Sequence, residues 1–168
     1  MSLPRKKNRR QLSGFTIAEI LVVVMVLAIA AMVVLPYVTS TTDLEVVSAA
    51  RLLAADLQYA QNVAITDQEP VTVTIEAAGD SYRLWSNESD PLIHPITKSD
   101  YRVDFASERG FSRLDIVSAD FGGASAVTFD SLGAPDSAGT ITLQAGSHVY
   151  RLSVADITGK VTVAAVGS

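Results

Sequence analysis

The sequence predicts an α+β protein in which a long N-terminal helix, membrane-spanning in its first half and amphipathic in its second, packs on a mainly antiparallel β-sheet head. Three observations predict this fold class. Residues 15–36 are apolar with a single charge, residues 43–66 repeat apolar side chains at helical spacing, and the chain beyond residue 70 alternates every second residue. The 168 residues suffice for one modest domain and an appendage. The predicted parts are a basic leader (1–14), a transmembrane helix (15–37), a stalk helix (38–66) and a β-rich head (67–168).

Charge is segregated along the chain. The leader contains no acid and five basic residues, Arg5, Lys6, Lys7, Arg9 and Arg10, a pattern that keeps the N-terminus in the cytoplasm. The rest of the chain contains eight basic and 18 acidic residues, so its side chains carry a net charge of −10. Such an acidic body disfavours nucleic-acid binding. The absence of cysteine excludes disulfides, thiol catalysis and cysteine–zinc sites.

The apolar run ends at Pro36 and is long enough to cross a bilayer as a helix. Twenty-two residues at ~1.5 Å each span about 33 Å, against roughly 30 Å of hydrocarbon. A cleaved secretory signal is disfavoured, because the run is too long and no small-x-small motif follows it. A plain signal anchor is a second alternative. Pro36 lacks an amide hydrogen, so it either kinks the helix where it leaves the bilayer or ends it.

Glu19 is the single charge of this run. A carboxylate costs roughly 2.5–3.5 kcal/mol at the centre of a membrane helix, and less at one turn from its end. One interpretation is that the side chain reaches the lipid headgroups. The other is that cleavage before Phe15 creates an α-amino group, and that Glu19 of one subunit pairs with the amine of its neighbour.

The segment Gly14-Phe15-Thr16-Ile17-Ala18-Glu19, after a basic leader, resembles the class III signal of type IV pilins and type II secretion pseudopilins. The resemblance implies a pilin-like fold, cleavage after Gly14 by prepilin peptidase, and N-methylation of Phe15. It also implies that Glu19 acts in assembly and that the helix from Phe15 onward forms the filament core. Ala18 is smaller than the aliphatic residue usual in this family.

The stalk pattern predicts a helix over residues 43–66 with one narrow, alanine-rich apolar stripe that a sheet can approach closely. A short coiled coil is the alternative. Arg51, Asp56 and Gln58 fall off the stripe, which consists of Val46, Ala50, Leu53, Leu57, Ala60 and Ala64.

The head is predicted to consist of short strands joined by turns. Residues 87–100, with two prolines, are predicted to form a loop. Short connections in the C-terminal part favour an antiparallel meander. The predicted strands are 71–76 and 81–85 as a hairpin, then 101–105, 113–117, 126–130, 140–143, 149–154 and 160–163.

Within this family, segments of the stalk helix and the predicted head are most similar to the minor pseudopilin H and FimT group. This resemblance implies a pseudopilin domain over about residues 43–165. The similar segments are Tyr59-Ala-Gln-Asn-Val-Ala-Ile65, Pro70-Val-Thr-Val73, Phe129-Asp-Ser-Leu-Gly133, Val149-Tyr-Arg-Leu-Ser-Val154 and Gly159-Lys160. Gln61 stands where this group commonly has arginine, and Lys160 where it often has one.

No pattern in the sequence indicates an enzyme. His94 and His148 lack the spacing of metal ligands, and no phosphate-binding loop or nucleophile elbow occurs. Asp80, Asp130 and Asp136 lie in predicted turns without the spacing of an EF-hand. We therefore expect no catalytic residue, metal or cofactor.

The predicted function is that of a minor pseudopilin in the periplasmic filament of a type II secretion system. The expected partners are prepilin peptidase, other pseudopilins or pilins, the inner membrane and the assembly platform. The expected location is the bacterial inner membrane, crossed once, with the head periplasmic and the chain in a filament after assembly. The alternative is a minor type IV pilin for pilus assembly, adhesion or DNA uptake, for which Arg102, Arg109 and Arg113 would form a basic patch.

Overall fold

The computed structural model describes residues 15–38, 41–87 and 89–166. The leader, including Gly14, lies outside these ranges. The chain divides into two compact units, residues 1–39 and residues 40–168, and each is described by itself.

The first unit contains helix α1, Ile17–Val38. Every side chain from residue 15 to residue 31 is exposed. The helical backbone continues past Pro36 to Val38, so this proline does not end the helix where it stands. None of the helices within the described ranges combines the length and the hydropathy that a membrane crossing requires. The membrane span predicted for residues 15–37 stays a prediction.

The second unit begins with helix α2, Thr41–Asp67, which starts two residues earlier and ends one residue later than predicted. All six residues of the predicted stripe are fully buried, and Ala49 joins them. Four of the seven are alanines, and their small side chains let the backbone of α2 approach a sheet closely. The stripe therefore packs on the head, as the helical spacing predicts.

Within residues 41–87 and 89–166, nine strands form two antiparallel sheets. Their bounds are β1 Val71–Glu76, β2 Ser81–Ser86, β3 Asp90–Pro91, β4 Arg102–Asp104, β5 Leu114–Asp120, β6 Ala126–Phe129, β7 Gly139–Ala145, β8 His148–Val154 and β9 Val161–Ala165. The α+β class and the mainly antiparallel head are confirmed.

The first sheet has β1 at its centre, between β2 and β6. The predicted hairpin is confirmed, with Val71 opposite Ser86 and Glu76 opposite Ser81. The prediction that β6 continues a C-terminal meander is wrong, because β6 pairs with β1 instead, placing Phe129 opposite Val71. This pairing joins segments more than 50 residues apart, which the lengths of neighbouring connections do not reveal.

The outer edge of β2 is shared by two short strands. β4 pairs with its first half, and β3 pairs with Trp85 and Ser86. The prediction of a plain loop over residues 87–100 is wrong at β3, where Pro91 occupies an edge position that does not require an amide hydrogen.

The second sheet has the order β5-β7-β8-β9, so β7, β8 and β9 form the predicted meander. β7 and β8 are joined by a two-residue turn in which Gly146 has φ +60°. Sheet residues such as Leu143 and Leu152 pack with the α2 stripe in one core.

Asp80 connects the two sheets. It follows the 3-10 turn between β1 and β2 and has φ +46°. Its side chain accepts a hydrogen bond of 2.7 Å from the Ile116 amide in β5, and its carbonyl accepts one of 3.0 Å from the Phe105 amide. The predicted turn position is confirmed, but the carboxylate bonds a distant strand instead of its own turn.

Candidate functional site

The first candidate site is the start of α1, where Thr16 caps the helix. The Glu19 amide donates to the Thr16 hydroxyl at 3.2 Å and to the Thr16 carbonyl at 3.1 Å. Thr16-Ile17-Ala18-Glu19 has the spacing of a capping box, in which a glutamate three residues after the cap reinforces the helix start. The observed cap bonds are made by the backbone amide of Glu19, so they leave its carboxylate available for a role between chains.

The side chains around Glu19 form an exposed apolar surface on α1. Eleven large apolar side chains between Phe15 and Ile29 are exposed, Phe15 by 78%. Burying them is worth on the order of 20 kcal/mol, at about 1.5–3 kcal/mol each. That gain is several times the roughly 2.5–3.5 kcal/mol that a buried carboxylate costs. An apolar surrounding is therefore strongly favoured for this segment, even with Glu19 inside it.

The remaining predicted residues of this site are placed as follows. Phe15 and Glu19 lie one helical turn apart at the exposed start of α1. Pro36 lies near its other end, and the kink predicted there stays a prediction. Gly14 is outside the described residues, so the cleavage site and the methylation of Phe15 stay predictions as well.

The second candidate site is a buried polar network in the head. Asp56 lies off the six-residue stripe but is only 7% exposed, so the buried face of α2 is wider than the narrow stripe that the sequence predicts. Its carboxylate accepts hydrogen bonds from the Tyr82 hydroxyl at 2.6 Å and the Tyr101 hydroxyl at 3.0 Å. Tyr101 also stacks on Tyr59 and lies 4.5 Å from the His94 ring. The network thus connects α2 to β2 and to the segment that leads into β4.

Burial sets the protonation behaviour of this network. Burial raises the pKa of Asp56 above its ordinary value of 3.8, although the hydrogen bonds from Tyr82 and Tyr101 and the nearby His94 oppose the rise. Burial and then the negative Asp56 raise the pKa values of Tyr82 and Tyr101 as well. Both phenols stay protonated at neutral pH and keep donating to the carboxylate.

Gln61 holds two loops of the head against α2. Its side-chain amide donates to the Gly133 carbonyl at 2.7 Å and to the Thr158 carbonyl at 2.9 Å. Gly133 has φ +83°, and a Cβ there would lie 2.7 Å from the Ile65 side chain. A Cβ at Gly159 would lie 2.5 Å from the Gln61 amide nitrogen. The glutamine thus satisfies both carbonyls, and the glycines leave the space it needs.

The three arginines of the predicted basic patch are not brought together. Arg109 and Arg113 line one groove, where the Arg113 amide donates to the Glu45 carboxylate at 2.8 Å. Arg102 lines a different groove and lies 3.6 Å from the Asp104 carboxylate. The Arg102 guanidinium therefore lies beside a carboxylate, and the acidic Glu45 lines the groove that contains Arg109 and Arg113.

The two histidines also lie apart from any ligand set. The His94 ring nitrogen accepts hydrogen bonds of 3.2 Å from the Ile96 and Thr97 amides. His148 starts β8 and lies 3.8 Å from the Asp43 carboxylate. Within the described ranges, no three acidic or histidine side chains cluster as metal ligands do.

The solved structures similar to this chain include a minor pseudopilin and a minor pilin. The minor pseudopilin EpsH from the type 2 secretion system of Vibrio cholerae superposes with a TM-score of 0.56 and 13% identity, over 74% of this chain and 99% of that one. The type IV minor pilin FimU of Pseudomonas aeruginosa gives a TM-score of 0.54 and 20% identity, over 76% of this chain and 97% of that one. These likenesses confirm the pilin-like fold.

Comparison with family models gives a match to "Type II transport protein GspH" over residues 49–158, more than half of the chain. A comparison with curated protein sequences finds no match. The matched residues include most of α2, the Asp56 network and both loops held by Gln61. The resemblance that the sequence predicts is thereby confirmed, and the chain belongs to the GspH family of type II transport proteins.

Proposed function

We propose that this protein is a minor pseudopilin, a structural subunit of the periplasmic filament of a type II secretion system. The family match over residues 49–158 carries the proposal. The likeness to EpsH, itself a minor pseudopilin, supports it at the level of fold. The polar networks around Asp56 and Gln61 hold the head together, which fits a structural subunit.

The N-terminal segment extends this proposal to the membrane. Prepilin peptidase removes residues 1–14 at the cytoplasmic face and methylates Phe15, and the new N-terminus lies one turn from Glu19. Before assembly, residues 15–37 anchor the chain in the inner membrane with the head in the periplasm. The exposed apolar surface of α1 supports an apolar surrounding, in lipid first and among neighbouring subunits afterwards.

Charge pairing guides assembly in this proposal. A freshly cut amine is cationic near neutral pH, and each subunit then carries one cation and one carboxylate close to the same level of its helix. Pairing Glu19 with the amine of a neighbour neutralises both groups within the apolar bundle. Other pseudopilins and the assembly platform supply the partners.

The alternative is a minor type IV pilin involved in pilus assembly, adhesion or DNA uptake. The likeness to FimU favours this alternative, with a TM-score close to that of EpsH. The separation of Arg102 from Arg109 and Arg113 gives no support to the DNA-binding form of the alternative.

Deleting the gene separates the two functions. We expect the deletion strain to lose extracellular release of type II substrates and to regain it with the wild-type gene, while surface piliation and twitching are unchanged. The measurement is the abundance of exported proteins in the medium and in the periplasm. Normal secretion combined with lost piliation would instead assign the chain to a type IV pilus.

A further inference from the structure

Two loops at the C-terminal end of α2 each expose a large aliphatic side chain. Leu132, between β6 and β7, is 83% exposed, and Ile157, between β8 and β9, is 77% exposed. Ile65 on α2 is 41% exposed, and its side chain lies next to Gly133 in the first of these loops. We call these three side chains, Ile65, Leu132 and Ile157, the apolar tip.

Hydrogen bonds from α2 hold the two loops of the apolar tip in place. Gln61 bonds the carbonyls of Gly133 and Thr158, which directly follow Leu132 and Ile157. Gln68 adds a second tie, donating to the Ser131 carbonyl at 3.3 Å and to the Ile65 carbonyl at 2.6 Å. Both loops are thus held to the C-terminal part of α2, and each presents one exposed aliphatic side chain.

Ile157 is also held in a strained backbone conformation. Its φ is +67°, in the left-handed region that β-branched residues rarely adopt. Because the Ile157 side chain is exposed, its packing does not offset the free-energy cost of that backbone conformation. Local hydrogen bonds hold the turn, from the Thr158 amide to the Asp156 carbonyl at 2.7 Å and from the Ile157 amide to the Asp156 carboxylate at 3.0 Å. Residues with a strained backbone are concentrated at binding and switching sites. A small polar residue or glycine would fit this turn better if the loop served the isolated head alone.

The charged residues near the apolar tip indicate the chemistry of the molecule that binds there. Across residues 65–69, 130–135 and 155–160 there are four exposed carboxylates and one basic residue, Lys160. The carboxylates are Asp67, Glu69, Asp130 and Asp156. A phosphate backbone or an anionic lipid surface would be repelled. A second copy placing the same tip opposite would bring like charges together, which costs affinity and slows association.

We propose that the apolar tip is a docking surface for a different polypeptide, one that presents an apolar patch flanked by lysine or arginine. The two loop side chains enter that patch, and the acidic rim selects the basic flanks. The inference depends only on the geometry of the head and stands whether the filament is a pseudopilus or a pilus.

The test is photo-crosslinking of the full chain in its own cells, with a benzophenone amino acid at position 132, 157 or 96. Ile96 is the matched control, because it is 84% exposed on a separate loop. We expect one shared heteromeric product from 132 and 157 and none from 96. Mass spectrometry of the joined peptide should place the link at an apolar segment beside lysine or arginine. A dimer of this chain, a nuclease-sensitive product, an acidic or wholly polar joined segment, or no product above the control would overturn the proposal.

Two substitutions separate binding from folding. Ile157→Asn suits a positive φ, so the thermal midpoint of the detergent-solubilised chain should stay unchanged or rise. The crosslink from position 132 should nevertheless fall by about tenfold, as expected when a central apolar contact is lost. Ile96→Asn is the control and should leave the yield unchanged. Asp67 is the last residue of α2 and belongs to neither loop, so Asp67→Lys changes the charge of the rim and should lower the yield severalfold. Full yield with both Ile157→Asn and Asp67→Lys would contradict the proposal.

Discussion

Replacing Glu19 with alanine is expected to remove this chain from filaments while leaving removal of the leader intact. The variant keeps the apolar surface of α1 but leaves the cationic amine of a neighbour without a partner in an apolar bundle. An unpaired charge costs roughly 2.5–3.5 kcal/mol at the centre of a membrane helix and less near its end, so the loss of incorporation should be severalfold at least and about a hundredfold at most. The measurement is the ratio of filament-associated to membrane-associated protein in sheared cells.

Glu19→Gln is the control that separates charge pairing from helix capping. The bond to the Thr16 hydroxyl comes from the backbone amide of residue 19, and glutamine is also accepted at the third position of a capping box, so this variant keeps the helix start. It lacks the negative charge and should fail as completely as the alanine variant. Thr16→Ala weakens the cap by about 1 kcal/mol and keeps the charge, so it should assemble. Normal incorporation of Glu19→Gln would refute charge pairing.

Replacing Asp56 with alanine is expected to destabilise the head by about 3 kcal/mol. The buried hydroxyls of Tyr82 and Tyr101 would both lose their acceptor, at about 1–3 kcal/mol each. The loss corresponds to a fall of about 10 °C in the melting temperature for a domain of this size. Near-ultraviolet circular dichroism of the solubilised chain measures it. Gln58→Ala changes an exposed position on the same helix and should stay within about 0.5 kcal/mol of wild type. A loss below about 1 kcal/mol for Asp56→Ala would contradict the account of this network.

The Asp56→Asn variant tests the protonation of the same site. Because burial raises the pKa of Asp56 in the folded state, the folded chain holds this proton more tightly than the unfolded chain does. The contribution of Asp56 to stability is therefore greatest below about pH 3.8 and falls as the pH rises through the higher folded pKa. The asparagine variant should lack this dependence, so the difference between its unfolding free energy and that of wild type isolates it. A difference that is flat across this pH range would contradict a raised pKa.

The spacing of apolar residues predicted most of the helices and strands, because the apolar face of each element is the face that is buried. The six-residue stripe of α2 and the alternation of strands such as β1 each report a face turned toward the core. The hairpin and the C-terminal meander followed from short connections. The N-terminal motif indicated the family independently of the head, because its residues are contiguous in the chain.

The parts that were missed depend on contacts between distant segments. Asp56 is polar and off the stripe, and its tyrosine partners lie 26 and 45 residues further along the chain. The pairing of β6 with β1 likewise depends on a crossover that local spacing does not specify. Gln61 was recognised only as a departure from arginine, whereas its two loop contacts required the fold.

The intact mass of the protein purified from native membranes tests the central claim most directly. The account predicts a chain that begins at Phe15 and is heavier by one methyl group, with Glu19 one turn from the new terminus. A chain that retains its five basic leader residues, or one trimmed beyond the apolar run, would contradict it.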